Sequence, residues 1–288
     1  MILPGSYANG FAPRDGQPLY PELWRGCVGA WAPCLGPTGL TLRDWSGFSN
    51  SATLTAETTD WGVYGGKYGL NFATDDYATI PNSTVYSVGA NRTWAIWYRG
   101  TSDTNQVLWG FANMFDNQPY FTIEIGPATA LLTDELITIA NEESGTAGTG
   151  CRIGYTTTTR TQLFDGNWHH IAVVANGTEY QIWLDGIQRT ITVGRVPNNG
   201  TPVISTWNIS TIGASRRLLP YGYLNGQWND ARIYNRAISG DEIRRMASRI
   251  GIAYELAPRR RSRVAVLTSL RYNIFTGNVG SLEVIGAS

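Results

Sequence analysis

Few side chains in this sequence are spaced for acid–base or nucleophilic chemistry. The two histidines, His169 and His170, are neighbours inside an apolar run, where a packed, hydrogen-bonded role is expected. Glu124 stands alone in its segment. Asp134 and Glu135 are adjacent, so on a strand their side chains would point to opposite faces. Glycan-cleaving enzymes hold two carboxylates about 5–9 Å apart across the bound sugar. We therefore predict that the protein is not an enzyme; a glycoside hydrolase that uses Glu124 or Asp134 is the weakest alternative.

Among metals, the sequence offers ligands only for calcium. Two histidines and three scattered cysteines do not form a zinc-binding pattern, and we expect Cys27 and Cys34 to be reduced. Calcium prefers several oxygen ligands. The segment from Asp44 to Asn50 offers a carboxylate, an amide and a backbone loosened by glycine. Either this loop holds a structural calcium ion, or Asp44 and Asn50 only make the hydrogen bonds of a turn.

The composition favours an all-β domain. The 288 residues include 33 glycines, 42% hydrophobic and 12% aromatic residues, which suits many short strands around a sizeable core. The formal net charge is zero, so overall charge favours neither nucleic acid nor membrane as a partner. No apolar run approaches the ~20 residues that span a bilayer, and the first residues lack the basic and apolar regions of a signal peptide. We expect a soluble protein made without its own export signal.

The clearest local pattern predicts three consecutive strands. Trp168–Val174 and Glu179–Leu184 are separated by Asn176-Gly177, which supplies the positive-φ residues of a tight turn. Asp185-Gly186 then turns the chain into a third run, Ile187–Val193. Together these runs predict an antiparallel meander that serves as scaffold.

One short helix is predicted near the end of the strand-rich region. Ser239 and Glu242 have the spacing of a capping box, and Ile238 and Ile243 have that of a hydrophobic staple. Gly251 is the expected end of this helix. We expect this helix to lie on the surface, at the end of the domain.

Several motifs together resemble a known family. Trp168-His169-His170-Ile171-Ala172, followed by Trp183-Leu184-Asp185-Gly186, resembles the laminin-G-like branch of the concanavalin A-like jelly rolls. Four further motifs follow the order of that family: Asp44–Asn50, Tyr68–Tyr77, Arg92–Tyr98 and Ile212–Ser239. The resemblance implies a two-sheet antiparallel jelly roll that binds carbohydrate or protein through edge loops, sometimes with calcium. It also implies that Asp230, in the closing strand, lies near the Asp44 loop, so the predicted calcium ligands are Asp44, Asn50 and Asp230.

A sugar-binding surface would need exposed aromatic rings with polar side chains beside them. Five aromatic residues lie in glycine- and proline-rich surroundings typical of loops: Trp61, Tyr64, Trp207, Tyr221 and Tyr223. In a sandwich with 11 tryptophans most aromatic rings belong to the core. We nevertheless predict these five as the ligand-binding candidates.

The two ends of the chain differ from the rest. Residues 1–21, rich in proline and glycine, are predicted to form an extended arm, residues 22–250 the jelly roll, and residues 251–288 a tail. The tail carries a dense basic run, Arg259, Arg260, Arg261 and Arg263, which we predict to bind a partner. A solvated tail is the alternative. Nucleic acid fits poorly, because only Tyr272 follows soon after as a stacking residue.

These features predict a non-enzymatic structural and binding module. It would attach through its two terminal arms to capsid or fibre proteins, or to its own copies in a homo-oligomer, and display a lectin-like sandwich toward surface glycans. A virion component of a phage, such as a capsid decoration or fibre-associated protein, fits this interpretation. The alternative is a free carbohydrate-binding lectin.

Overall fold

The computed structural model describes residues 17–55, 60–73, 75–82, 91–117, 119–127, 135–142, 151–156, 162–195 and 207–257. These residues are mostly strand. In chain order the strands are β1 (Cys27–Trp31), β2 (Thr41–Leu42), β3 (Ala52–Leu54), β4 (Asp60–Tyr64), β5 (Lys67–Phe72), β6 (Ala78–Ile80), β7 (Asn91–Arg99), β8 (Gln106–Ala112), β9 (Tyr120–Ile125), β10 (Glu135–Glu142), β11 (Cys151–Thr156), β12 (His169–Asn176), β13 (Tyr180–Leu184), β14 (Ile187–Arg189), β15 (Thr192–Arg195), β16 (Ile209–Ile212) and β17 (Gly226–Tyr234).

The strands form two antiparallel sheets, which confirms the predicted sandwich. The eight-stranded sheet has the order β14-β13-β12-β7-β17-β5-β4, with β1 also paired to β17. The nine-stranded sheet has the order β15-β11-β10-β9-β8-β16-β6-β3-β2. Strands far apart in sequence are neighbours in both sheets: β17 pairs with β7 and β5, and β16 pairs with β8 and β6.

The main core lies between the inner faces of the two sheets. Trp94, Ile96 and Tyr98 of β7 point inward, because alternate side chains of a strand share a face. They belong to one buried cluster with Trp109 from the other sheet and Trp228 of β17. Each such side chain contributes roughly 1.5–3 kcal/mol to stability when buried. Most of the tryptophans therefore stabilise the fold and are not free to meet a ligand.

A second apolar layer covers part of the outer face of the eight-stranded sheet. It consists of helix α1 (Gly240–Met246) and two 3-10 turns, Pro21–Trp24 and Ile252–Tyr254. Ser239 accepts a hydrogen bond from the Glu242 amide, and the Glu242 carboxylate accepts one from the Ser239 N–H, which confirms the capping box.

The helix is shorter than predicted. It ends at Met246, and Gly251, with a φ of 75°, precedes the turn Ile252–Tyr254 instead of ending the helix. No helix in the described ranges is long and apolar enough to cross a membrane.

The predicted meander is confirmed for its first two strands and corrected for the third. β12 and β13 pair antiparallel, and the turn after β13 places Asp185 and Gly186 at φ values of 53° and 75°. The run Ile187–Val193 does not stay in one sheet: β14 pairs with β13, whereas β15 pairs with β11 of the other sheet. The chain crosses from one sheet to the other between Arg189, where β14 ends, and Thr192, where β15 begins.

The packed unit extends beyond the predicted limits of 22 and 250. Leu19 N donates to Glu255 O at 2.7 Å, and Ala257 N donates to Gln17 O at 2.8 Å. Two short segments, 17–19 and 255–257, thus lie antiparallel, and we call them the arm bases. Residues 1–16 and 258–288 lie outside the described ranges, and with them the arginines predicted to bind a partner: Arg259, Arg260, Arg261 and Arg263.

Candidate functional site

The predicted calcium loop is held together by Asp44. Its Oδ1 accepts hydrogen bonds from the N–H groups of Ala30 and Ser46 at 3.0 and 2.8 Å. Its Oδ2 accepts from Ser46 Oγ at 2.8 Å and from Asn50 N at 2.9 Å. Both carboxylate oxygens of this buried residue are therefore engaged by the chain itself, as the turn interpretation requires.

The predicted third ligand is engaged in the same way. Asp230 lies in a bulge of β17 with a φ of 36°. Its Oδ1 accepts from Arg232 Nε at 2.8 Å, and its Oδ2 accepts from Gly251 N at 3.1 Å. The described residues contain no group of three or more Asp, Glu, His or Cys side chains arranged for a metal ion. This donor set does not fit calcium, and calcium binding stays a prediction of the sequence.

Two of the five predicted ligand-binding aromatics pack on the core. Trp207 is 8% exposed, and its ring centroid lies 5.2 Å from that of Phe111. Trp61 is half-buried against the core, and its Nε1 donates to Gly39 O at 3.1 Å. These two tryptophans stabilise the sandwich.

Tyr221 ends a hairpin that crosses the outer face of the nine-stranded sheet, and Tyr223 follows shortly after it. This outer hairpin, Ser215–Tyr221, is closed by hydrogen bonds between its two end residues. Its close approach needs a glycine beneath it, because a Cβ on Gly110 would lie 2.2 Å from Ala214 O. The Arg217 guanidinium lies 4.4 Å from the centroid of the Tyr221 ring.

A second arginine contacts aromatic side chains beside the Arg217–Tyr221 pair. Arg216 lies 4.8 Å from the Tyr77 ring and donates to Tyr223 Oη at 2.9 Å. Guanidinium groups thus engage Tyr77, Tyr221 and Tyr223 by stacking or by hydrogen bonding. A sugar ring would have to compete with these contacts.

Glu124 is buried beneath the outer hairpin. Its carboxylate accepts hydrogen bonds from Thr122 Oγ1 and Tyr221 Oη, both at 2.7 Å, and from Asn105 Nδ2 at 3.1 Å. Burial, together with the Glu124 charge, raises the pKa of Tyr221 well above 10, so its hydroxyl remains a donor. The residues opposite Glu124 on the neighbouring strands are Val107 and Thr138, not carboxylates.

Tyr64 lies in a different environment, together with a residue that the sequence interpretation missed. Trp168 Nε1 donates to Tyr64 O at 2.8 Å. Gly62 and Gly69 face each other across β4 and β5, and a Cβ on Gly69 would lie 3.3 Å from both the Trp168 and the Tyr64 ring. Gly65, with a φ of 56°, would place a Cβ 3.0 Å from Trp168. The glycines therefore make room for two half-buried rings.

A row of polar side chains lies beside these rings. Arg99 Nη1 donates to Gln227 Oε1 at 2.8 Å, and Gln227 Nε2 donates to Asn71 Oδ1 at 2.5 Å. Arg99 Nε lies 3.9 Å from the position of a Gly65 Cβ, which also touches Trp168. We call Tyr64, Trp168, Arg99, Gln227 and Asn71 the aromatic–polar cluster. The sequence signals for it were the glycine spacing in β4 and β5 and the tryptophan directly before β12.

His169 fixes the loop that carries Trp168. Its Nε2 lies 3.0 Å from Asp165 Oδ1, and its Nδ1 lies 2.8 Å from Asp185 Oδ2. Burial alone would lower the pKa of His169, but the hydrogen bonds to Asp185 and Asp165 outweigh it and raise that pKa above 6.5. Burial also opposes the shift of Asp165, whose pKa falls to about 2 because of its bonds to His169 and Asn167.

The remaining candidates for chemistry have structural surroundings. His170 is buried with its ring centroid 5.3 Å from that of Trp97, and burial lowers its pKa to about 4. Cys27 and Cys34 carry free thiols, as predicted, and burial raises the pKa of each to about 12.

Comparison with solved structures identifies the architecture. The chain is similar to domain 4 of AbnA, a GH43 extracellular arabinanase from Geobacillus stearothermophilus in complex with arabinotriose, at 15% identity and a TM-score of 0.55, over 77% of this chain and 98% of that one. It is also similar to the binding domain of Paraclostridial Mosquitocidal Protein 1, at 15% identity and a TM-score of 0.55, over 78% of this chain and 52% of the other.

A third similar structure is that of botulinum neurotoxin type C, whose cell entry depends on interaction with two ganglioside molecules. It is 9% identical, with a TM-score of 0.56, over 79% of this chain and 52% of that one. The chain thus spans about half of the two toxin chains. At these sequence identities the similarity shows a shared fold and nothing more. No curated protein matches the sequence. Residues 72–244 match the laminin-G-like model of the concanavalin A-like lectin/glucanases superfamily, and the chain belongs to that family.

Proposed function

We propose that this protein is a non-catalytic carbohydrate-binding module whose sugar contacts lie at the aromatic–polar cluster. The observation that carries the proposal is the placement of Trp168, a half-buried ring beside the Arg99–Gln227–Asn71 row. Apolar and aromatic surface combined with a few fixed polar groups is the usual composition of a small-ligand site. A sugar would pack its apolar face on the ring and direct its hydroxyls to the amide and guanidinium groups.

The other predicted aromatic residues are less suited to bind a sugar than Trp168, because the protein itself contacts them. Trp207 and Trp61 pack on the core, and guanidinium groups engage Tyr221 and Tyr223. No guanidinium stacks on Trp168 among the residues that the structure describes. The similarity to a domain solved with arabinotriose, and to a toxin that interacts with gangliosides, is consistent with a sugar ligand.

The proposal includes the absence of catalysis. Glu124 is held by three hydrogen bonds under the outer hairpin and faces no carboxylate across either neighbouring strand. Asp134 lies outside the described residues. A retaining or inverting mechanism requires two carboxylates across the substrate. The glycoside hydrolase alternative therefore gains no support from Glu124.

We further propose that the module attaches through its terminal arms. The arm bases are hydrogen-bonded to each other, so residues 1–16 and 258–288 connect to the sandwich at neighbouring points. A single partner surface could then hold both arms and leave the sandwich displayed. Attachment to a phage capsid or fibre is one setting for such a module, and a free lectin is the alternative.

The sugar site can be tested by screening the full chain on an array of neutral and acidic glycans. We expect a restricted set of glycans to be retained, with their masses unchanged after incubation. Arg99→Gln should weaken binding roughly tenfold through the loss of a charged hydrogen bond, and Trp168→Phe should weaken it by reducing the stacking area. Arg244→Gln, at an exposed arginine of α1, is the matched control and should bind like the parent.

Two outcomes would contradict the proposal. Retention of no glycan, or equal binding by Arg99→Gln and the parent, would remove the aromatic–polar cluster as a sugar site. Shortened glycans after incubation would instead revive the hydrolase alternative.

A further inference from the structure

Two neighbouring loops hold large apolar side chains in solvent. The turn between β8 and β9 exposes Met114 and Phe115 to 43% and 76%, and the outer hairpin exposes Leu218 and Leu219 to 55% and 64%. Single exposed apolar residues are ordinary, whereas a group of them marks an interaction surface. We call these four residues the apolar tip.

Hydrogen bonds between the two loops hold the backbone under the apolar tip. Leu218 N donates to Asp116 O at 3.0 Å, and Leu219 N donates to Asn117 Oδ1 at 3.1 Å. These bonds tie the outer hairpin to the β8–β9 turn. The four apolar side chains are therefore presented together from two connected loops.

The apolar tip consists of only four side chains on two short loops. Each partner of a standard protein–protein interface contributes ~800 Å² from about 20–30 residues. Shallow insertion between lipid headgroups needs no complementary pocket, because its strength follows from the apolar area buried and from attraction to anionic lipid.

The charges around the apolar tip suit an anionic surface. Arg216 and Arg217 precede Leu218 directly, and their guanidinium groups lie against Tyr77 and Tyr221. Against these two cations, the two loops contain one acidic residue, Asp116, whose Oδ1 accepts from Asn117 N. Cations beside apolar side chains favour the headgroup region of anionic bilayers.

We propose that the apolar tip docks the protein on the surface of an anionic lipid bilayer. Phe115 and Leu219 enter the headgroup region, and Arg216 and Arg217 face the lipid phosphates. This function is separate from sugar binding, because the tip lies on the outer face of the nine-stranded sheet and the aromatic–polar cluster lies on the eight-stranded sheet.

The test is flotation of the full chain with vesicles of phosphatidylcholine alone and of phosphatidylcholine with phosphatidylserine. We expect flotation with the serine-containing vesicles, less at high salt. Phe115→Ser combined with Leu219→Ser should reduce the bound fraction roughly tenfold. Ile187→Ser, which removes an apolar side chain of 57% exposure from β14, should leave it unchanged.

The proposal would be wrong if the parent failed to float with either vesicle, or if the double variant floated as well as the parent. It would also be wrong if light scattering showed that the double substitution converts a dimer to a monomer, because the tip would then contact a second copy of this chain. Both substitutions are at exposed positions, and circular dichroism would verify that the variant is folded.

Discussion

His169 and His170 are adjacent residues with opposite electrostatic surroundings. His169 lies between Asp165 and Asp185, and its pKa is raised above 6.5. His170 is buried against Trp97, and its pKa is lowered to about 4. One histidine therefore stabilises the fold when it is charged and the other when it is neutral.

These shifts predict that stability peaks near pH 6.5. The stabilisation from His170 is complete above 6.5 and falls as the pH drops toward about 4, by up to roughly 3 kcal/mol, because the unfolded chain binds the proton first. The stabilisation from His169 is complete below 6.5 and is lost as the pH rises through its higher folded pKa. Urea unfolding between pH 4 and 8 measures both slopes.

Substituting each histidine separately assigns the acidic and the basic slope of the stability profile to its own residue. His170→Gln should flatten the acidic side of the profile, and His169→Asn the basic side, whatever each does to the overall free energy of unfolding. If the acidic slope survived in His170→Gln, the buried neutral form would not be its source.

Only part of the candidate site was predictable from the types of individual residues. Tyr64 was predicted because glycines surround it, but its neighbour Trp168 was assigned to the scaffold. Trp168 reaches the β4–β5 hairpin across intervening strands of the sheet, and such a contact leaves no local pattern. Tyr221 was predicted as an exposed ligand contact, whereas Arg217 stacks on its ring and Glu124 accepts a hydrogen bond from its hydroxyl.

At the scale of structural elements, the Asp44–Asn50 loop depends on one carboxylate. Asp44 accepts four hydrogen bonds and connects the loop to β1 through Ala30. Loss of this side chain would leave several buried donors without partners, and each costs about 1–3 kcal/mol.

Asp44→Ala should therefore lower the free energy of unfolding by roughly 3 kcal/mol or more. Because the four hydrogen bonds come from the chain itself, the loss should be the same with calcium chloride and with a chelator. Asp116→Ala, in an exposed turn, is the control and should change stability by less than ~0.5 kcal/mol. A loss seen only with calcium present would support the metal-site prediction instead.

The elements themselves were predictable where local chemistry determines them. The Ser239–Glu242 capping box, the β12–β13 hairpin and the turn at Asp185-Gly186 are specified by residue type and spacing. The transfer of the chain from β14 to β15 was not predicted, because sheet membership depends on β11, which is distant in sequence.

At the scale of the whole molecule, a buried arginine holds the two 3-10 turns next to the arm bases against the sandwich. Arg232 of β17 pairs with Asp230 and lies 4.8 Å from the Trp24 ring and 4.7 Å from the Tyr254 ring. Trp24 Nε1 also donates to Ala253 O at 2.8 Å. The segments that lead to both arms are thereby fixed to one strand, as the proposed attachment requires.

The arm bases and the core of the sandwich are distinct parts of the molecule. The arm bases adjoin the apolar layer on the eight-stranded sheet, and the sandwich has its own core between the two sheets. A fragment that retains residues 17–257 keeps Trp24, Arg232 and Tyr254 together, whereas one ending at Gly251 would lose Tyr254 from that cluster.

The most direct measurement is light scattering on the full chain beside the fragment 17–257, with glycan binding measured on both. We predict that the full chain forms a larger defined assembly, and that the fragment is a folded monomer with the same glycan preference. Equal masses for the two proteins would contradict attachment through the arms. A fragment that folds but binds no glycan retained by the full chain would contradict the sandwich as the binding module.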